Sequence, residues 1–191
     1  MRRAAVVLVV LALAVFIRVA WGSHDSGPAA PPVVDPGLVE SPQIPAGAFT
    51  AVVVRVVDGD TFLARTAGAG QPVRVRIIGA DTPETVKPGV AVRCYGPQAS
   101  TFTKHLLRPG SVVTAAHEPG GDVDRYGRQL WDVWLPDHRF LESVLVASGA
   151  ARAYPYPPQL EHATMLADLQ SAAQRSGRGL WGAPCRGRSF G

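Results

Sequence analysis

From residue 46 onward, apolar and polar positions alternate with a period of two over several short stretches. Thr50 to Val57 is valine-rich with Arg55 inside it, and Thr61 to Arg65 follows after Asp58-Gly59. Val73, Val75 and Ile77 alternate with Arg74, Arg76 and Ile78. Such alternation predicts strands with one buried face, and the Asp-Gly pair predicts a hairpin between the first two. Gly68 to Gly70 marks a second turn. Ser111 to Ala116 and Gln129 to Leu135 read as two more strands, separated by a polar, Gly-containing loop from Glu118 to Arg128. The period lengthens elsewhere. Tyr95 to Leu107 predicts a helix closed by Pro109-Gly110, and Phe140 to Ser148 a short helix stopped by Gly149. Leu160 to Ser176 predicts the longest helix, with Leu160, Met165, Leu166 and Leu169 on one side and Gly177 as its stop. Periodicity by itself gives an α+β domain without internal repeat.

The ends follow different rules. Met1-Arg2-Arg3 precedes an uncharged apolar run, Ala4 to Ile17, which is short for a membrane span. Residues 1–22 therefore read as an export leader. Ala20 and Gly22 offer a cleavage site, whereas the run extended to Trp21 nears a spanning length, so a cleaved signal and a retained anchor both stay open. Residues 23–45 hold six prolines and predict an extended spacer that would keep the domain off a membrane if the leader is retained. The domain is expected over 46–182, with 183–191 as a tail.

Composition adds limits. A chain of 191 residues allows one sizeable domain with appendages. Its net charge of +4 falls to +1, 16 basic against 15 acidic residues, once Arg2, Arg3 and Arg18 are set aside with the leader. Bulk charge is therefore no argument for nucleic acid, and particular arginines must carry it. Cys94 and Cys185 are an even pair, which in an exported chain predicts a disulfide. Trp131, Trp134 and Trp181 are expected in packing roles, and His105, His117 and His138 form no pattern.

The chemistry gathers in Arg76-Ile77-Ile78-Gly79-Ala80-Asp81-Thr82-Pro83-Glu84-Thr85. Pro83 ends the strand character and holds Thr82 extended. Two carboxylates then flank a rigid bend, with a guanidinium one strand-length away. That charge set can bind a divalent cation and a phosphate together.

These residues, with Val57-Asp58-Gly59-Asp60-Thr61, Tyr95-Gly96-Pro97-Gln98-Ala99, Asp124-Arg125-Tyr126-Gly127-Arg128 and Leu180-Trp181, resemble the thermonuclease, or staphylococcal-nuclease-like, family. The blocks occur in the family's order and cover about Ala46 to Gly182. The resemblance implies a five-stranded Greek-key β-barrel of the OB type with about three packed helices, which the five strands and three helices above fit. It further implies a calcium-dependent endonuclease acting on DNA and RNA, expected as a monomer. Asp60, Asp81 and the Thr82 carbonyl would hold the metal. An all-oxygen set suits Ca²⁺, with Mg²⁺ behind it on ligand type, while zinc lacks a His or Cys cluster. Glu84 would orient or deprotonate water, and Arg76 and Arg128 would clamp the phosphate. Arg125, Tyr126, Tyr154 and Tyr156 would line the nucleotide pocket, although the two later tyrosines, set among prolines, could equally pack the barrel mouth. Asp58 belongs to the turn or stands behind the ligands.

Three further expectations follow. Gly79-Ala80 replaces bulkier residues and should leave the bend loose. The loop after Glu84 carries fewer positive charges than the family's. Asp60 and Asp81 should repel each other when no cation is bound. The alternative from another class is a non-catalytic nucleic-acid-binding OB module tethered in the cell envelope. The intact set of Asp60, Arg76, Asp81, Glu84 and Arg128 speaks against it.

Overall fold

The computed structural model describes Val39 and residues 41–117, 122–155 and 161–190. The leader, most of the proline-rich segment, Leu160 and Tyr156 lie outside the described residues.

Five strands close into a barrel: β1 (Phe49–Asp58), β2 (Thr61–Thr66), β3 (Val73–Ile77), β5 (Val112–His117) and β6 (Gln129–Trp134). Their order is β1-β2-β3-β6-β5, with β5 returning to β1. Every pairing is antiparallel except β3 with β6, which run parallel. This is the expected OB-type Greek-key arrangement. The inward positions are those the alternation marks: Phe62 and Ala64, Val75 and Ile77, Val113 and Ala115 are all fully buried. In β1 the inward set is Ala51, Val53 and Val56, because a register shift between Val53 and Arg55 changes the phase. The valine-rich run hides that shift in the sequence.

Two short strands, absent from the sequence reading, form a separate ladder: β4 (Ala80–Asp81) pairs with β7 (Arg152–Ala153). They matter for the bend at Gly79-Ala80, which is not loose. Gly79 takes a φ of 74°, where a side chain would be strained, and its carbonyl accepts the Tyr154 N–H at 2.9 Å. Ala80 is fully buried opposite Ala153. Small residues let this strand enter the core, and the ladder then fixes it.

Three helices pack on the barrel: α1 (Gly96–Leu106), α2 (Leu141–Ala147) and α3 (Ala163–Arg175). Each ends a little inside its expected span. Pro97 opens α1, where its missing N–H costs no helical bond. Thr103 of α1 donates its hydroxyl to the Gly59 carbonyl at 2.7 Å, which ties the β1–β2 turn to the helix. The wholly buried α2 sends Glu142 to accept the Val133 N–H at 3.0 Å. Trp131 and Trp134 are both 1% exposed and serve packing as expected. Trp134 donates its indole N–H to the Pro42 carbonyl, and Ser41 Oγ accepts the Phe140 N–H, each at 3.0 Å. The end of the expected spacer therefore lies along the barrel, held there by these two bonds.

Cys94 and Cys185 are joined across 91 residues. The bond brings the last segment back beside the start of α1. Among the described residues no helix is long and apolar enough to cross a membrane.

Candidate active site

A cavity of about 820 Å³ gathers Asp58, Asp60, Arg76, Asp81, Thr82, Glu84, Arg125, Tyr126, Arg128 and Tyr154 on its walls. Every expected site residue among the described ones therefore borders one space, while Tyr156 lies outside them.

Arg76 organises the bend. It leaves β3 opposite Thr61, and its Nη1 donates to the carbonyls of Ile77 and Ala80, the latter at 2.6 Å. Its Nη2 stands 3.1 Å from Asp81 Oδ1 and 3.3 Å from Asp60 Oδ2. Asp81 Oδ2 in turn accepts from Arg152 Nε at 2.9 Å and lies 2.8 Å from its Nη2. The expected repulsion between the two carboxylates is present but offset, since guanidinium groups stand between and beside them. Burial pushes the Asp81 carboxyl above its usual 3.8; attraction to Arg76 opposes this more strongly than repulsion from Asp60 adds to it.

Thr82 is held close to both. Its N–H donates to Asp60 Oδ2 at 3.3 Å, and Asp60 Oδ1 accepts the Thr61 hydroxyl at 2.9 Å. The β1–β2 turn can approach this far only because residue 59 is glycine: a Cβ there would lie 2.6 Å from Thr82 Oγ1. That Oγ1 is buried and has no hydrogen-bond partner among the described residues.

Glu84 and Asp58 form a second unit. Glu84 Oε1 accepts the backbone N–H groups of Thr85, Val86 and Lys87 at 3.0, 2.9 and 2.9 Å. Burial works to raise this carboxyl, but those N–H groups and a hydrogen bond from Asp58 together hold it below 4.5. Asp58 moves the other way, raised above 3.8 chiefly by burial. It accepts the Gly59 N–H at 2.8 Å and the Thr85 hydroxyl at 2.5 Å. Of the two, Asp58 is shifted toward its protonated form and Glu84 toward its charged one. Asp58 serves both the turn, as expected, and the loop that carries Glu84.

Across the cavity Arg128 lies 2.6 and 2.7 Å from Asp124 Oδ2 through Nη2 and Nε, and its Nη1 reaches Thr61 Oγ1 at 3.5 Å. Burial opposes the charge of Asp124, but the Arg128 N–H, its guanidinium and the Tyr126 N–H hold the carboxyl below 3.8. The guanidinium groups of Arg125 and Arg128 lie 4.8 and 5.5 Å from the centroid of the Tyr126 ring, which is 64% exposed. Tyr154, at 41% exposure, faces the cavity beside Arg152 rather than sitting in the core.

Sequence reading did not single out Arg74, Lys87, Arg93, Asp124, Arg152, Ser189 or Phe190, all of which border the cavity. Arg74 shares the outward face of β3 with Arg76, so period two marks it. Asp124 lies within a quoted block. Arg152 and Phe190 had no local signal. Lys87, Arg93 and Arg74 also supply positive charge around the loop after Glu84. Among the described residues, no group of three or more His, Cys, Asp or Glu side chains is arranged to hold a metal. A cation would instead draw on the Asp60 and Asp81 carboxylates, the Thr82 carbonyl and water, an oxygen set that fits a hard divalent ion.

A family described as "Staphylococcal nuclease homologue" matches residues 74–183, beginning at β3 and leaving Asp58 and Asp60 before the match. The chain is 43% identical over 131 residues to a thermonuclease of Staphylococcus intermedius, covering 68% of this chain and 74% of that one. It is 40% identical to a thermonuclease of Staphylococcus hyicus, covering 69% and 75%. Identity to a protein of Escherichia coli O157:H7 described as an endonuclease is 34%, covering 68% and 74%.

Proposed function

The chain belongs to the staphylococcal nuclease homologue family, and we propose that it is an exported, calcium-dependent endonuclease that hydrolyses DNA and RNA with low sequence specificity. The observation that carries this reading is the single Arg76 nitrogen shared by Asp60 and Asp81, in a cavity that also holds Glu84 and Arg128.

Hydrolysis adds water across a phosphodiester. A water oxygen bonds to phosphorus, the bond from phosphorus to the departing sugar oxygen breaks, and one water proton moves to a base while the leaving oxygen gains one. Glu84 is ionised at neutral pH and faces the cavity, so it orients that water and receives its proton. A carboxylate held below its usual pKa is a weak base, which places more of its effect in orientation. Arg76 and Arg128 offer planar forks that match phosphate oxygens from two sides and offset the charge that builds in the transition state. Asp60, Asp81 and the Thr82 carbonyl would hold Ca²⁺, which when bound would supply positive charge to the phosphoryl oxygens. Arg125 and Tyr126 reach a second nucleotide, and Tyr154, with Tyr156, takes a base by stacking. Ring stacking accepts any base, hence the low specificity.

Export is supported by the leader and by the Cys94–Cys185 bond, since disulfides persist in oxidising compartments. In this reading residues 1–22 direct secretion or tether a monomeric domain to the outer face of the cell membrane, and the membrane is met only through that segment if it is retained. Residues 23–45 separate it from the domain at 46–182.

Plasmid degradation by the purified protein with Ca²⁺, with Mg²⁺ and with chelator is the test. Rapid nicking and degradation with Ca²⁺, less with Mg²⁺ and none with chelator are expected. Full activity in chelator would remove the metal, and no activity with any ion would remove the enzyme.

A further inference from the structure

We infer that the segment Cys185–Phe190 adds a stacking subsite for an unpaired nucleobase to the cleft, built on Phe190 and Arg152. The inference rests on the nuclease reading and deepens it toward single-stranded substrate. The Arg152 guanidinium lies 4.0 Å from the centroid of the Phe190 ring and 5.4 Å from that of Tyr154. Its Nε and Nη2 are turned to one oxygen of Asp81. The donors thus face the carboxylate while the guanidinium carbon lies over both rings, so this wall presents π surface rather than a free cation.

Phe190 is half-buried and borders the same cavity as Asp81 and Tyr154. Its backbone is anchored: Cys185 is bonded to Cys94, the Gly187 N–H donates to the Leu180 carbonyl at 2.8 Å, and Ser189 is fully buried. A fixed ring loses little freedom on binding. Phosphates of a strand lying on Arg76 and Arg128 carry bases that need a surface, and a flat apolar ring beside a guanidinium stacks on any of them. Bases inside a duplex hide their faces, so the subsite acts on unpaired ones.

The test uses the full chain, Phe190→Ala and Phe190→Trp. Fluorescence anisotropy in chelator measures binding of a labelled single-stranded oligothymidylate and of an abasic sugar-phosphate oligomer of equal length. Phe190→Ala should weaken oligothymidylate binding about tenfold, within the range of one lost base stack, and abasic binding less than about twofold. Phe190→Trp should bind oligothymidylate at least as well as the wild type. With Ca²⁺, Phe190→Ala should raise KM for single-stranded DNA more than for duplex. Equal oligothymidylate affinity in all three proteins overturns the subsite, and so does an equal loss for both ligands, which would make Phe190 only a prop for Arg152. Wild-type plasmid cleavage, run alongside, judges the nuclease reading separately, since the binding comparison needs no turnover.

Discussion

Asp124 holds Arg128 by two points, with Nε 2.7 Å and Nη2 2.6 Å from the same carboxylate oxygen, and it caps the loop by accepting the Arg128 N–H at 3.0 Å. Asp124→Asn should therefore release the guanidinium, lowering kcat/KM about tenfold through loss of positioning. It also gives a pH signature. Because the folded carboxyl lies below 3.8, its contribution to stability is complete above that value and is lost as pH falls through the folded pKa. Urea melts should show the variant about 1 kcal/mol less stable near pH 7, with the gap closing at acid pH. An equal gap at both pH values would place the effect elsewhere.

Glu84→Gln keeps an oxygen for the three backbone N–H groups, so the loop should survive. Turnover should fall by about 10²- to 10⁴-fold, with nucleotide affinity within about threefold of wild type. Because the Glu84 carboxyl lies below 4.5, the part of the wild-type rate that depends on its charge should be lost only as pH falls through that lowered value. Near-normal turnover in the variant would take Glu84 out of the chemistry.

Calcium should bind weakly alone and more tightly with a nucleoside bisphosphate. Without phosphate, Arg76 is already paired with Asp60 and Asp81; a bound phosphate offers it another partner. Asp60→Ala and Asp81→Ala should abolish metal-dependent cleavage and leave the fold cooperative. Calorimetry of Ca²⁺ with and without the bisphosphate reads the coupling, and identical affinities would refute it.

Gly59→Ala should cost about 1–3 kcal/mol, because the added methyl meets the whole Thr82 side chain within 2.8 Å. Activity should fall by at least about tenfold in the same protein. A melting temperature matching wild type would contradict this close approach.

Cys185→Ser should lower stability by about 2–5 kcal/mol, since the bond closes 91 residues of chain. Unlike a purely structural bond, it should also raise KM for single-stranded DNA, because Phe190 follows it into the cleft. Denaturation and steady-state rates on one preparation check both effects.

Alternation along β2, β3 and β5 made the barrel legible, and glycine and proline stops placed the helices to within a few residues. The motif blocks held the main charged residues of the site. What stayed hidden depended on contacts between distant segments. No local pattern announces that Arg152 will pair with Asp81, 71 residues away, or that Phe190 will lie on Arg152. β4 and β7 are two residues each, below any period. The expected repulsion between Asp60 and Asp81 counted only the acids and omitted where the Arg76 guanidinium would fold back.

The parallel seam between β3 and β6 also governs when the site can exist. It joins Arg76 to Leu130, so the barrel cannot shut until the ribosome has passed the second strand. A growing chain that ends before residue 128 lacks half of the phosphate clamp, and one that ends before Arg152 lacks the ladder that fixes Asp81. Contacts of such separation form late. A destructive activity is thereby withheld from the cell that synthesises it until the chain has been made past Arg152.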